Sequence, residues 1–198
     1  MKTQKNLLFT LIVPLLLGLS MVSANAAIFT FGAILDGLSE SPPNASPGSG
    51  TTTVILDTTL HTMSVDVSFS GLLGTTTAAH IHAATAVPGT GTAGVATPTP
   101  TFTSFPLGVT AGTYFHLYDM TLSGSYNPSY ITANGGTPAS AEAALFAAIG
   151  SGRAYLNIHS SAFPGGEIRG FLVPVPEPSS LALLGLGGLA LVRAARRR

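Results

Sequence analysis

The chain has 198 residues, enough for one ordinary domain plus processing segments. It contains no cysteine and no tryptophan, so its domain must be held by buried apolar surface rather than by disulfides. The formal charge of zero hides a split: residues 27–176 carry two arginines against seven acids, a net −5, and the other basic residues lie at the two ends. An acidic folded part excludes nucleic acid as the expected partner, because phosphate recognition needs a basic surface.

Residues 1–26 have the layout of a secretory signal peptide. Lys2 and Lys5 form a charged start, residues 7–19 an apolar stretch, and Ala24-Asn25-Ala26 a small-x-small cleavage site. Signal peptidase is expected to cut between Ala26 and Ala27. An uncleaved membrane anchor is the alternative, disfavoured by the short apolar run.

Residues 28–38, 51–57, 61–69, 75–82 and 113–122 then read as strands. The third is the clearest: Met63, Val65, Val67 and Phe69 alternate with Ser64, Asp66 and Ser68, as in a half-buried antiparallel strand. Residues 83–101 are a low-complexity Ala/Thr/Gly/Pro stretch without charge, expected as a surface loop. Residues 123–137 are expected as a second loop. One helix is expected from Pro138, capped by Thr137 and ended by Gly150, with Ala141, Leu145, Ala148 and Ile149 as its apolar stripe.

The last part of the domain, RAYLNIHSSAFPGGEIRG from Arg153 to Gly170, reads as a hairpin. Ala154, Leu156 and Ile158 alternate with Tyr155, Asn157 and His159; further on, Glu167, Arg169 and Phe171 alternate with Ile168, Gly170 and Leu172. Phe163-Pro164-Gly165-Gly166 supplies the reversal. This stretch resembles the closing motif of the CHRD domain, the chordin-type domain of many exported bacterial proteins. Ala78-Ala79-His80-Ile81-His82 and the stretch from Gly37-Leu38 through Glu40-Ser41-Pro42-Pro43 resemble it too. The resemblance spans about residues 28–173 and implies an all-β domain of unsettled biochemical role, with no catalytic residue.

The expected fold is therefore all-β: an antiparallel, Greek-key-like β-sandwich of seven or eight strands with one short helix. Its expected core comprises Phe31, Ile34, Val54, Leu56, Val65, Val67, Phe69, Ile81, Leu117, Leu145, Leu156, Ile158, Ile168 and Leu172. The expected organisation is a signal peptide over 1–26, a CHRD-like domain over 27–174 and a sorting signal over 175–198.

That last segment joins three parts in order: Pro176-Glu177-Pro178, an apolar run over residues 181–192, and Arg193, Arg196, Arg197 and Arg198. The run would enter a bilayer and the arginines would hold its end at the cytoplasmic face. Twelve residues are marginal for a permanent span. The arrangement resembles a PEP-CTERM sorting signal. The resemblance implies removal by an exosortase, transient anchoring in the bacterial membrane as a transmembrane helix, and a Gram-negative host that makes exopolysaccharide. A plain C-terminal anchor is the alternative.

Candidate chemistry centres on His80 and His82. At i and i+2 on a strand they face the same side, a common way to offer two nitrogens to zinc or copper. The His-Ile-His stretch is similar to the copper-binding strand of copper-zinc superoxide dismutase, although the cysteine pair and zinc loop of that family have no counterpart here. His159 is the candidate third ligand. The bland reading, which the sequence favours, is a structural polar cluster in which these histidines, Asn157, Glu167 and Arg169 satisfy one another, with Glu167 and Arg169 as an ion pair. His61 and His116 are expected as surface or satisfied residues. A nucleophilic triad, a carboxylate pair and a phosphate loop find no support.

Three functional readings follow. The first is a non-enzymatic exported protein delivered to the cell surface or extracellular matrix, without a cofactor. The second is a metal-binding or redox protein using His80, His82 and His159. The third is a glycan-binding module presenting Tyr114, Tyr118 or Tyr155 in an exposed row.

Overall fold

The computed structural model describes residues 27–176. Residues 1–26, the expected signal peptide, and residues 177–198, nearly all of the expected sorting segment, lie outside the described residues. The strands are β1 (Ile28–Asp36), β2 (Ser49–Asp57), β3 (Thr62–Ser70), β4 (Thr76–Ala83), β5 (Gly112–Asp119), β6 (Ala154–Ser160), β7 (Ile168–Phe171) and β8 (Val173–Pro174). All join one antiparallel sheet in the order β4-β6-β7-β1-β2-β3-β5, with β8 beside β1. The sheet curls around a single core, to which β1–β6 and β7 contribute buried side chains. This is the all-β sandwich expected, with one helix longer than two turns among the described residues, α2 (Pro138–Gly150).

Alternation explains which residues enter the core. Val54 and Leu56 on β2, Met63, Val65, Val67 and Phe69 on β3, and Leu156 and Ile158 on β6 all point inward. Two expected core residues do not. Ile34 is 72% exposed and Leu117 58% exposed. The buried residues of β1 are Phe31 and Leu35, four apart; Ile34, three from Phe31, falls on the other face. On β5 the inward set is Tyr114 and Tyr118, so Leu117 must point out.

Residues 84–111 form a loop, but a packed one. Phe102, Phe105, Ala96 and Thr97 are buried. The Phe102 amide donates to the Ala79 carbonyl at 3.0 Å and the Ala96 amide to Ile81 at 2.9 Å, which covers the otherwise open edge of β4. Tyr114 and Tyr118 share a 2.7 Å hydroxyl contact, and Tyr114 donates to the Thr103 carbonyl. The loop thus ties the two edge strands, β4 and β5, together. Residues 123–137 are also more ordered than expected: they hold a 3₁₀ turn and a short helix, α1 (Pro128–Ala133), capped by Asn127 with Pro128 at the first position. Thr137 and Ser140 form a reciprocal capping box at the start of α2.

Glycine is required where β7 meets β1. Any side chain at Gly170 would strike the Ile34 carbonyl. Just before β7, Glu167 is completely buried. Its carboxylate accepts from Ser46 Oγ at 2.6 Å, the Leu73 amide at 2.5 Å and the Gly74 amide at 3.3 Å. It therefore stitches the β1–β2 and β3–β4 connections to β7. Burial alone would raise its pKa; the bonds from Ser160, Ser46, Leu73 and Gly74 outweigh that and hold the carboxyl below its ordinary 4.5. The stabilisation of a depressed carboxyl is fully present above its unfolded value and is lost as pH falls through the lower folded one. Glu167→Gln should accordingly cost about 1–3 kcal/mol at neutral pH. Its stability curve should also lack the part of the wild type's acid loss below about pH 4.5. Denaturant melts from pH 7 to pH 3 check this; parallel acid limbs would contradict it.

Candidate metal centre

The face of β4, β6 and β7 opposite the core carries the polar residues. Register decides which of them meet. Ala78 pairs with His159, His80 with Asn157 and His82 with Tyr155 across β4–β6; Asn157 pairs with Arg169 across β6–β7. Because β4 and β6 are antiparallel, the connections that follow them leave from opposite ends of the pair. The rings meet through the diagonal register of the two strands. Ring centroids are 5.8 Å apart for His80–His82, 5.4 Å for His80–His159 and 6.0 Å for His82–His159.

Each ring is fixed by a backbone carbonyl from a covering loop. His80 donates from Nε2 to Pro100 O at 2.7 Å, His82 from Nδ1 to Ala93 O at 2.9 Å, and His159 from Nδ1 to Pro164 O at 2.9 Å. A carbonyl can only accept, so these bonds set the tautomers and leave a lone pair on the other nitrogen. Those nitrogens, His80 Nδ1, His82 Nε2 and His159 Nε2, are buried and have no hydrogen-bond partner. One nitrogen from each ring lies within 4.8 Å of those of the other two. Burial is the main cause that lowers the pKa of His80 and of His82 to about 4; the Pro100 and Ala93 carbonyls oppose it. Burial lowers His159 as well. At neutral pH the three rings are uncharged, which is the state a metal ligand requires.

The expected mutual satisfaction of this cluster does not occur. Glu167 is committed to Ser46 and the 73–74 amides, and it does not pair with Arg169. Arg169 instead donates from Nε to Ser39 O and from Nη1 to Gly91 O at 3.1 Å, and stacks over Tyr155 at 4.7 Å. Its acidic neighbour is Glu40, 3.8 Å away. Burial pushes the Glu40 carboxyl up to about 7 despite Arg169. Asn157 Oδ1 and Glu40 Oε1 are buried without a partner. Sequence reasoning placed Glu40 in a family motif but missed its place beside Arg169, because 129 residues separate the two and no local pattern links them.

The remaining candidates fall elsewhere. His61 sits in the turn before β3 and bonds Glu142 of α2 at 2.9 Å. His116 packs against Tyr118 on β5, with ring centroids 4.3 Å apart. Tyr114, Tyr118 and Tyr155 are all buried, so the exposed tyrosine row that a glycan platform needs is absent among the described residues. No helix of the described residues is long and apolar enough to cross a membrane.

Comparison with known proteins gives two family matches. Residues 31–172 match the CHRD domain, and residues 174–198 match the PEP-CTERM protein-sorting motif. Neither is an enzymatic family. The sorting motif supports exosortase-dependent export to the cell surface. No curated protein and no solved structure matches the chain. The match over the greater part of its length shows that the chain belongs to the CHRD-domain family.

Proposed function

We propose that the protein is delivered to the cell surface or extracellular matrix, where its CHRD domain holds one zinc or copper ion between His80, His82 and His159. The observations that carry this reading are that each of the three imidazoles offers a nitrogen within 4.8 Å of those of the other two, and that each has one buried nitrogen without a hydrogen-bond partner. Ligands about 2.0–2.1 Å from a tetrahedral ion lie roughly 3.4 Å apart, so a small inward rotation of the rings suffices. The carbonyl bonds of Pro100, Ala93 and Pro164 are the outer contacts that orient ligating histidines. A purely hydrogen-bonded cluster would leave three buried acceptors without a donor, at a cost of about 1–3 kcal/mol each.

Delivery uses both ends of the chain. Signal peptidase acts between Ala26 and Ala27 and an exosortase acts at the Pro176-Glu177-Pro178 region, with residues 181–192 in the membrane and the arginines at its cytoplasmic face until then. The released domain then sits among surface exopolysaccharide.

Adding zinc or copper to metal-free protein should raise its stability, by about 2.7 kcal/mol at a hundredfold excess over Kd. Binding should reach one ion per chain. His159→Ala should abolish both effects. Thermal melts with and without metal, together with metal analysis, check this; a wild type indifferent to metal would refute it. Mass spectrometry of the surface fraction from the native host should find a chain beginning near Ala27 and lacking Arg193, Arg196, Arg197 and Arg198. An intact arginine cluster in that fraction would refute the delivery route.

A further inference from the structure

Two buried acceptors beside the histidines remain unexplained. Asn157 is 3% exposed and Glu40 7% exposed, yet Asn157 Oδ1 and Glu40 Oε1 have no partner. They face a common point: a Cβ built on Gly166 would lie 2.6 Å from the Asn157 amide and 2.6 Å from Glu40 Oε1. Asn157 shares its strand face with His159, two residues on, and is the cross-strand partner of His80. Gly166, Glu40 and their neighbours in residues 40–44 and 162–166 also line a cleft of about 370 Å³. The same 162–166 connection orients His159 through Pro164 O. Glu40 and Gly166 line the cleft, whereas Asn157 and the three histidines lie behind it, linked to it through Gly166, which faces Asn157, and through Pro164, which orients His159.

Resting on the metal-binding reading, we propose that the ion is not closed off by protein: its fourth position carries an exchangeable water, which enters through this cleft and donates hydrogen bonds to Asn157 Oδ1 and Glu40 Oε1. Asn157 Oδ1 lacks a donor and Glu40 Oε1 lacks a partner; water, which can donate to both or accept from a protonated carboxyl, is the smallest ligand that fits. A bare glycine backbone leaves the necessary space, since a methyl group at Gly166 would occupy the point both acceptors face. Three protein ligands plus water form an open centre, in contrast to the four-ligand closure of purely structural zinc sites. Arg169, stacked on Tyr155 and bonded to the 39 and 91 carbonyls, holds Glu40 in place beside it. The ligand class admitted is water and protic molecules of its size.

The test is solvent-proton relaxation by the protein loaded with copper(II), or with cobalt(II) standing in for zinc. Wild type should relax bulk water several-fold more strongly per bound ion than an ion without inner-sphere water. Gly166→Ala should reduce this to the outer-sphere level while one ion per chain remains bound. Gly166 has a φ of +135° and Ala could disturb folding there. Ala162→Trp, at an exposed rim of the cleft, serves as a second variant and should slow water exchange at least several-fold. Outer-sphere relaxation in metal-loaded wild type would overturn the open position, and inner-sphere relaxation unchanged in both variants would overturn entry through this cleft, each leaving the metal site intact. Failure to bind any ion would instead overturn the reading on which the proposal rests.

Discussion

The pairing of β4 with β6 is the constraint on which the site depends. Ala79 and Ile81 on one strand and Leu156 and Ile158 on the other are completely buried in the core. Their burial fixes which face each strand turns inward, because a one-residue slip would send every apolar side chain to the wrong side. With that choice made, His80, His82, Tyr155, Asn157 and His159 share the opposite face. The hydrophobic core thus sets the histidine geometry from behind, at no cost to the site's own chemistry.

What covers the face matters as much. The loops over it carry almost no charge, and they meet the rings with backbone carbonyls from Ala93, Pro100 and Pro164. A carboxylate in those positions would bring a counter-charge and raise the imidazole pKa values. A carbonyl orients the ring and leaves it neutral. The low-complexity composition of residues 83–101 is compatible with this role, since a carbonyl needs no particular side chain behind it. The loop's second task, covering the β4 edge and packing Phe102 against Tyr114, gives it a fixed shape from which to present those carbonyls.

Much of this was legible in the sequence. Period-two alternation located the strands, and the helix announced itself through Thr137-Pro138. The i, i+2 spacing of His80 and His82 and the place of His159 in the facing motif identified the three rings that converge. The errors have physical causes. Ile34 is apolar enough for the core, but strand geometry puts it on the face away from Phe31. Helix α1 was missed because six residues are too few to show a helical period, although Asn127-Pro128 repeats the cap signal of α2. Glu167 and Arg169 are i, i+2 neighbours, a spacing that suggests an ion pair; in the fold the backbone amides of residues 73 and 74 reach Glu167 first. Long-range partners of this kind, like Glu40 for Arg169, depend on loop paths that no periodicity encodes.

The central claim is that the three imidazoles form one first coordination shell. X-ray absorption of the zinc- or copper-loaded protein tests it most directly. The account predicts three imidazole nitrogens at about 2.0–2.1 Å, and no bound ion in His159→Ala. A bound metal surrounded by oxygen alone, or a shell unchanged by loss of His159, would contradict it.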